Sequence, residues 1–262
     1  MDYTNIQNII DLDECPLGNA NFTELCQKKI DENGVLTLPK FLNEQVIKYL
    51  VEEASAAQHK AFYSNSTHNV YLTKNNPDYD DEHVFNRQVV SSKGCITDDQ
   101  ISENSPLKTL YQSNIFRDFL AKVLNEQKLY EYEDPMSSIN VHYASEGQEL
   151  GWHFDNSSFA ITLLLQAPEA GGSFEYIKDL RDSEAGEMNF EGVESLLDGI
   201  KKPEFLKVEP GTLVLFRGKN SIHRVTPTRG NKTRMLVVLA YNTKPGVSLS
   251  KSAQMTFFGR VA

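Results

Sequence analysis

Two stretches of the chain carry apolar residues at helical spacing. Val46, Ile47, Leu50 and Val51 share one face of a segment that Asn43 would cap and that runs to about Ala57. Leu110, Phe116, Leu120, Val123 and Leu124 do the same over residues 107–125. Before the first helix, Val35 to Leu42 (VLTLPKFL) reads as a short strand ending at a turn. Between the two helices, residues 64–105 are rich in Asn, Asp, Pro and Ser, with short strand-like runs only at Asn69–Leu72 and Gln88–Ser91. A loop of that length inside a compact chain reads as a lid. Residues 1–34 show no clear period.

After residue 136 the period changes to that of strands. Ser138–Tyr143, Phe159–Gln166, Ser173–Ile177, Phe205–Val208, Thr212–Arg217, His223–Thr226 and Met235–Tyr241 are short β-type runs. Gly171-Gly172, Pro210-Gly211 and Gly230-Asn231 punctuate them. Many short strands with turn residues between them predict a sandwich, barrel or jelly roll. Residues 180–203 are acid-rich and read as an insertion with a helix near Gly192–Leu197. The expected fold is mainly β with α: one domain over 1–262, in which 1–135 supply an α/β support and lid and 136–262 the β core.

Composition narrows the partners. The chain has 26 Lys and Arg against 36 Asp and Glu, a net charge of −10, and no local basic patch. Phosphate backbones repel such a surface, so nucleic acid is not an expected partner. The acidic run Asp78–Glu82 reads as a solvated loop. Cys15, Cys26 and Cys95 are odd in number and widely spaced, which argues against a disulfide framework or a zinc knuckle. With no leader-like N-terminus and no apolar run of membrane length, a cytoplasmic protein is expected, monomer or homodimer.

The informative segment is Gly151-Trp152-His153-Phe154-Asp155. In extended backbone, residues i and i+2 share a side, so His153 and Asp155 can converge on one ion. His223 opens a later β run and supplies a second imidazole. Two His nitrogens and one carboxylate make a facial triad that leaves positions open for oxygen chemistry on Fe(II). Arg234 opens the apolar run Met235–Leu239, where an arginine wants a carboxylate partner. A dicarboxylate cosubstrate would supply one. A turn at Gly230-Asn231 is expected to lay the Arg234 strand beside the His223 strand.

HxD, a distal His and an Arg about ten residues beyond it resemble the signature of the 2-oxoglutarate-dependent Fe(II) dioxygenases. Tyr143 with Gly147-Gln148 is similar to the lead-in of prolyl hydroxylase-type members. The stretch GWHFDNSSFAITLLLQAPEAGGSFEY (Gly151 to Tyr176), with Asn86-Arg87-Gln88-Val89-Val90 upstream, resembles the group holding the radical halogenases of free amino acids and the related lysine hydroxylases. The resemblance spans roughly residues 85 to 245. It implies a double-stranded β-helix, Fe(II) on His153, Asp155 and His223, and 2-oxoglutarate held by Arg234 with help from Tyr143. It also implies O2 as oxidant, with succinate and CO2 as products. The halogenases carry a small residue where this chain has Asp155, so hydroxylation is expected.

For substrate, Arg87 is a candidate for a carboxylate, with a structural ion pair as its alternative. Asn156, Asn242 and Trp152 are weaker candidates, and packing is the commoner use of a lone tryptophan. Asn156 stands where lysine-specific relatives would carry an acid. A small polar molecule, a free amino acid or derivative, is the expected substrate. A peptidyl side-chain hydroxylase, a non-enzymatic cupin-like metal-binding barrel and a zinc hydrolase are the rival readings.

Overall fold

The computed structural model describes residues 2–262. In chain order its helices are α1 (Ala20–Asn33), α2 (Glu44–Ala57), α3 (Pro106–Gln112), α4 (Asn114–Leu124), α5 (Phe190–Leu197) and α6 (Lys251–Phe258). Its strands are β1 (Val35–Leu38), β2 (Phe62–Asn69), β3 (Gln88–Ile96), β4 (Ile139–Ala144), β5 (Leu150–His153), β6 (Ala160–Gln166), β7 (Ala170–Gly171), β8 (Phe174–Ile177), β9 (Glu204–Leu206), β10 (Leu213–Phe216), β11 (Ile222–Val225), β12 (Thr228–Arg229) and β13 (Arg234–Leu239).

One antiparallel sheet runs β1-β10-β6-β13-β4-β3-β5-β11-β8-β9, with β2 added to β3. It folds over at β3, and its ends meet. Phe174 and Tyr176 of β8 pack with Val35, Val214 and Phe216 of β1 and β10, with the Phe174 and Phe216 rings 5.0 Å apart. The result is a two-layered jelly roll, as the strand pattern predicts.

Burial along β13 alternates strictly. Met235, Val237 and Leu239 face the helices and join Val141, Tyr143, Ile161, Leu163 and Leu165 in a core with Leu50, Leu110, Phe116, Phe119 and Leu120. Burial of this kind is worth about 1.5–3 kcal/mol per large aliphatic or aromatic side chain. It fixes the register, because a one-residue slip would turn this set to the wrong face. Arg234, Leu236 and Val238 therefore face the interior of the roll.

The predicted helix over 107–125 is two helices, broken at Ser113, whose extended backbone ends α3 and precedes α4. Residues 64–105 are largely a hairpin: all eight residues of β2 pair with β3. Its polar sequence hid it. The loop 70–87 that joins them is ordered by Asn86, whose side chain accepts from the Asn76 N–H and donates to the carbonyls of Asn76, Tyr79 and Asp80. Helix α1 begins at Asn19, whose side chain accepts the Phe22 N–H, and ends at Gly34 with φ of 69°. The turn at Gly230 does not set β13 beside β11. The chain crosses between layers there: β12 pairs with β7, β11 lies between β5 and β8, and β13 between β4 and β6. No described helix is long and apolar enough to cross a membrane.

Candidate metal centre

His153 ends β5 and His223 lies on β11, and the two are direct cross-strand partners. Both are buried, with ring centroids 4.1 Å apart. Asp155 follows two residues after His153, and its Oδ1 lies 3.6 Å from the Nε2 of each histidine. The donor atoms of all three lie within 4.8 Å of one another. Each imidazole is oriented by a carbonyl two residues upstream: His153 Nδ1 is 2.8 Å from Gly151 O, and His223 Nδ1 is 3.1 Å from Ser221 O. A carbonyl only accepts, so Nδ1 carries the proton and Nε2 presents its lone pair to the centre. Burial and the neighbouring His223 push the His153 imidazole well below its usual range, which keeps it neutral.

Asp155 Oδ2 is buried without a hydrogen-bond partner. Two imidazole lone pairs and an unsatisfied carboxylate oxygen converging on one point are unfavourable alone. The set fits a divalent ion with three protein ligands and its remaining positions free for small molecules, the arrangement of non-haem Fe(II). Gly218 makes room for it. Its carbonyl accepts the Asp155 N–H at 3.0 Å, and a Cβ there would lie 1.9 Å from Asp155 Oδ2.

Behind His153 runs a polar chain that sequence reasoning missed. The Gly151 N–H donates to Ser91 Oγ at 3.0 Å, and Ser91 Oγ is 2.6 Å from His68 Nε2. His68 is half-buried and stands edge-on to His153 at 6.3 Å between centroids.

Arg234 faces into the roll on β13, its stem passing Gly172, where a Cβ would lie 2.9 Å from Arg234 Cδ. It makes no ion pair with any described residue, and burial alone pushes its guanidinium down to about 10. Two further basic groups join it on that face. His142 on β4 is adjacent to Leu236, and Lys93 on β3 has its Nζ 3.3 Å from both ring nitrogens of His142. Counting alternation from Arg234 through β4 would have singled out His142.

The remaining candidates lie as follows. Tyr143 does not reach the cosubstrate side. It is fully buried on the helix face, one residue out of step with His142, and its hydroxyl donates to Ala54 O of α2 at 2.8 Å. Trp152 and Phe154 point away from the ion, since they alternate with His153 and Asp155. Trp152 lies in a second core with Val70, Tyr71, Leu180 and Ile222, under the Arg224 guanidinium at 4.7 Å. Arg87 takes the ion-pair alternative, 2.8 Å from Asp198 at the end of α5. Asn242 is tied by its backbone to Tyr130, with its amide nitrogen buried and unpartnered. Asn156 is exposed beside Asp155.

The 70–87 loop and the 180–203 insertion pack on the segment that carries His153 and Asp155 through aromatic rings. Tyr71 stacks on Phe154 at 5.6 Å and on Phe85 at 5.0 Å, and Phe190 of α5 meets Phe85 edge-on at 6.1 Å.

Solved structures share this architecture at low identity. The non-heme alpha-ketoglutarate-dependent carbocyclase SnoK from nogalamycin biosynthesis superposes with a TM-score of 0.60 at 12% identity, covering 91% of this chain and 93% of that one. An oxidoreductase of the 2OG-Fe(II) oxygenase family from Burkholderia pseudomallei gives 0.52 at 13%, covering 87% and 94%. A prolyl hydroxylase in complex with a hypoxia inducible factor peptide fragment, from Trichoplax adhaerens, gives 0.52 at 12%, covering 84% and 89%. No curated protein matches the chain. A family model described as Halogenase D matches residues 19–256, nearly the whole length, and the chain belongs to that family, on the fold of the 2-oxoglutarate–Fe(II) oxygenases.

Proposed function

We propose that this Fe(II)/2-oxoglutarate-dependent oxygenase hydroxylates an unactivated C–H bond of a small polar substrate, a free amino acid or derivative, releasing succinate and CO2. The observation that carries the reading is Asp155. Its carboxylate completes the triad with His153 and His223 and sits in a notch left by Gly218. A carboxylate there takes the position that a halide would need, which favours hydroxylation in a family described as halogenases.

Iron with 2-oxoglutarate and O2 would supply the oxidising power when bound. The chain's own groups bind and orient. His153, Asp155 and His223 would hold the ion, and the Gly151 and Ser221 carbonyls keep both imidazoles in the ligating tautomer. Arg234, a cation without an acid, would take the distal carboxylate of 2-oxoglutarate. The ring cluster Tyr71–Phe85–Phe154–Phe190 holds the 70–87 loop against the segment that carries His153 and Asp155, and the Arg87–Asp198 pair ties it to the end of α5. A loop pinned this way supports a small substrate over an extended peptide. Asn156, exposed beside Asp155, is the remaining candidate for a polar contact to it.

The test is a screen of free amino acids, simple derivatives and short peptides with Fe(II), 2-oxoglutarate, O2 and chloride. Products are read by mass alongside succinate. A free amino acid gaining one oxygen with matched succinate is expected. Chlorinated product, or turnover confined to peptides, would overturn the assignment.

A further inference from the structure

The roll holds more positive charge than one arginine. Arg234 is the direct cross-strand neighbour of Ala144. Strands β3 and β4 pair Gly94 with Tyr143 and Cys95 with His142, and continuing that register by one residue sets Lys93 on the other side of Ala144. Two long cationic side chains thus flank a single methyl group. They lie on strands two spacings apart, about 9.5 Å. Both are on the face opposite Tyr143 and Met235, so their heads can meet over Ala144.

Neither cation has an acid. Lys93 Nζ contacts His142 and no carboxylate among the described residues. Burial pushes its ammonium below the usual range, only partly offset by Cys95 and Asp155. Burial, Lys93 and Arg234 together hold His142 well below its usual range, so it is a neutral imidazole that can accept a hydrogen bond from the ammonium. A buried ammonium whose partner is an uncharged ring is costly unless a ligand brings the missing charge. Two buried cations without an acid suit a ligand that would bring a carboxylate to this end of the roll.

We infer that Lys93, held in place by His142, is a second clamp beside Arg234 on the distal carboxylate of 2-oxoglutarate. The inference rests on the cosubstrate assigned above. It puts a lysine on β3 in the role that the sequence suggested for Tyr143.

The test is calorimetric binding of two ligands to Mn(II)-loaded wild type, Lys93→Met, Lys93→Arg and Arg234→Met. The ligands are 2-oxoglutarate and 2-oxopentanoate, which has the same length with a methyl in place of the distal carboxylate. Lys93→Met should weaken 2-oxoglutarate about ten- to a hundredfold, as expected for losing a hydrogen bond to a charged group, and leave 2-oxopentanoate within about twofold. Lys93→Arg should recover part of the loss. The metal-free Lys93→Met protein should melt no lower than wild type, since an unpaired buried cation has been removed. Equal weakening of both ligands, or of neither, with wild-type binding intact overturns this inference alone. Lysine then serves elsewhere, a substrate carboxylate included. Failure of wild type itself to bind 2-oxoglutarate overturns the oxygenase assignment and this inference with it.

Discussion

Gly218→Ala perturbs the metal centre sharply while replacing none of its ligands. The added Cβ would lie 1.9 Å from Asp155 Oδ2, 2.6 Å from its Cγ and 2.9 Å from His223 Cε1. Gly218 is not among the glycines with positive φ, so alanine brings no backbone strain, only the clash. The Asp155 N–H is held by the Gly218 carbonyl at 3.0 Å, which ties the two backbones together, so the carboxylate itself must swing. A shift of about 1 Å at such a group is enough to cost roughly a hundredfold in rate. Weakened ligation should also cost about ten- to a hundredfold in metal affinity. Fe(II) affinity is read anaerobically by competition with a chromogenic chelator, and turnover by succinate release. Gly218→Ala should also lower the melting temperature, and by less in an Asp155→Ala background, where only the approach to His223 Cε1 remains. Wild-type iron affinity and turnover in Gly218→Ala would refute the placement of the Asp155 carboxylate and its role as ligand.

Three further outcomes are expected. Arg234→Met should weaken 2-oxoglutarate binding about a hundredfold, as for an unpaired charge left in a buried pair, without changing iron affinity, both read by anaerobic titration. Tyr143→Phe should leave 2-oxoglutarate affinity unchanged and cost about 1 kcal/mol in urea unfolding, the worth of its bond to Ala54 O. His142 is kept neutral by burial, Lys93 and Arg234, so its folded pKa lies below the unfolded value of about 6.5. The unfolded chain then binds more protons below that value, so the contribution of His142 is full above about pH 6.5 and is lost as pH falls through it. Urea titrations from pH 8 to 5 should show a shallower decline for His142→Leu than for wild type.

The triad was legible because its geometry is local. A two-residue spacing puts His153 and Asp155 on one side of extended backbone, and any strand that brings His223 opposite completes the set. Arg234 was legible as a cation opening an apolar run. What the sequence hid was pairing and phase. A turn at Gly230-Asn231 is compatible with a hairpin or with a crossing between layers, and only the packed sandwich selects the crossing. Tyr143, which the resemblance placed on the cosubstrate, lies one residue out of phase with the face that carries Arg234 and His142, and a single residue is enough to reverse a strand. Strand β2, with Ser64, Asn65, Ser66 and Thr67, has no apolar alternation to read because most of it is exposed. The Lys93–His142 pair joins residues 49 positions apart, and Gly218 matters only for the atom it lacks. Neither leaves a local signature.

In the site proposed above, His153, Asp155 and His223 would hold Fe(II), and the ion would take 2-oxoglutarate. The most direct test is the visible charge-transfer band on anaerobic addition of Fe(II) and 2-oxoglutarate to wild type and to His223→Ala. A band in wild type that is absent in the variant is the predicted result. Bound iron in wild type with no band on adding 2-oxoglutarate would rule out this triad as the iron and 2-oxoglutarate site.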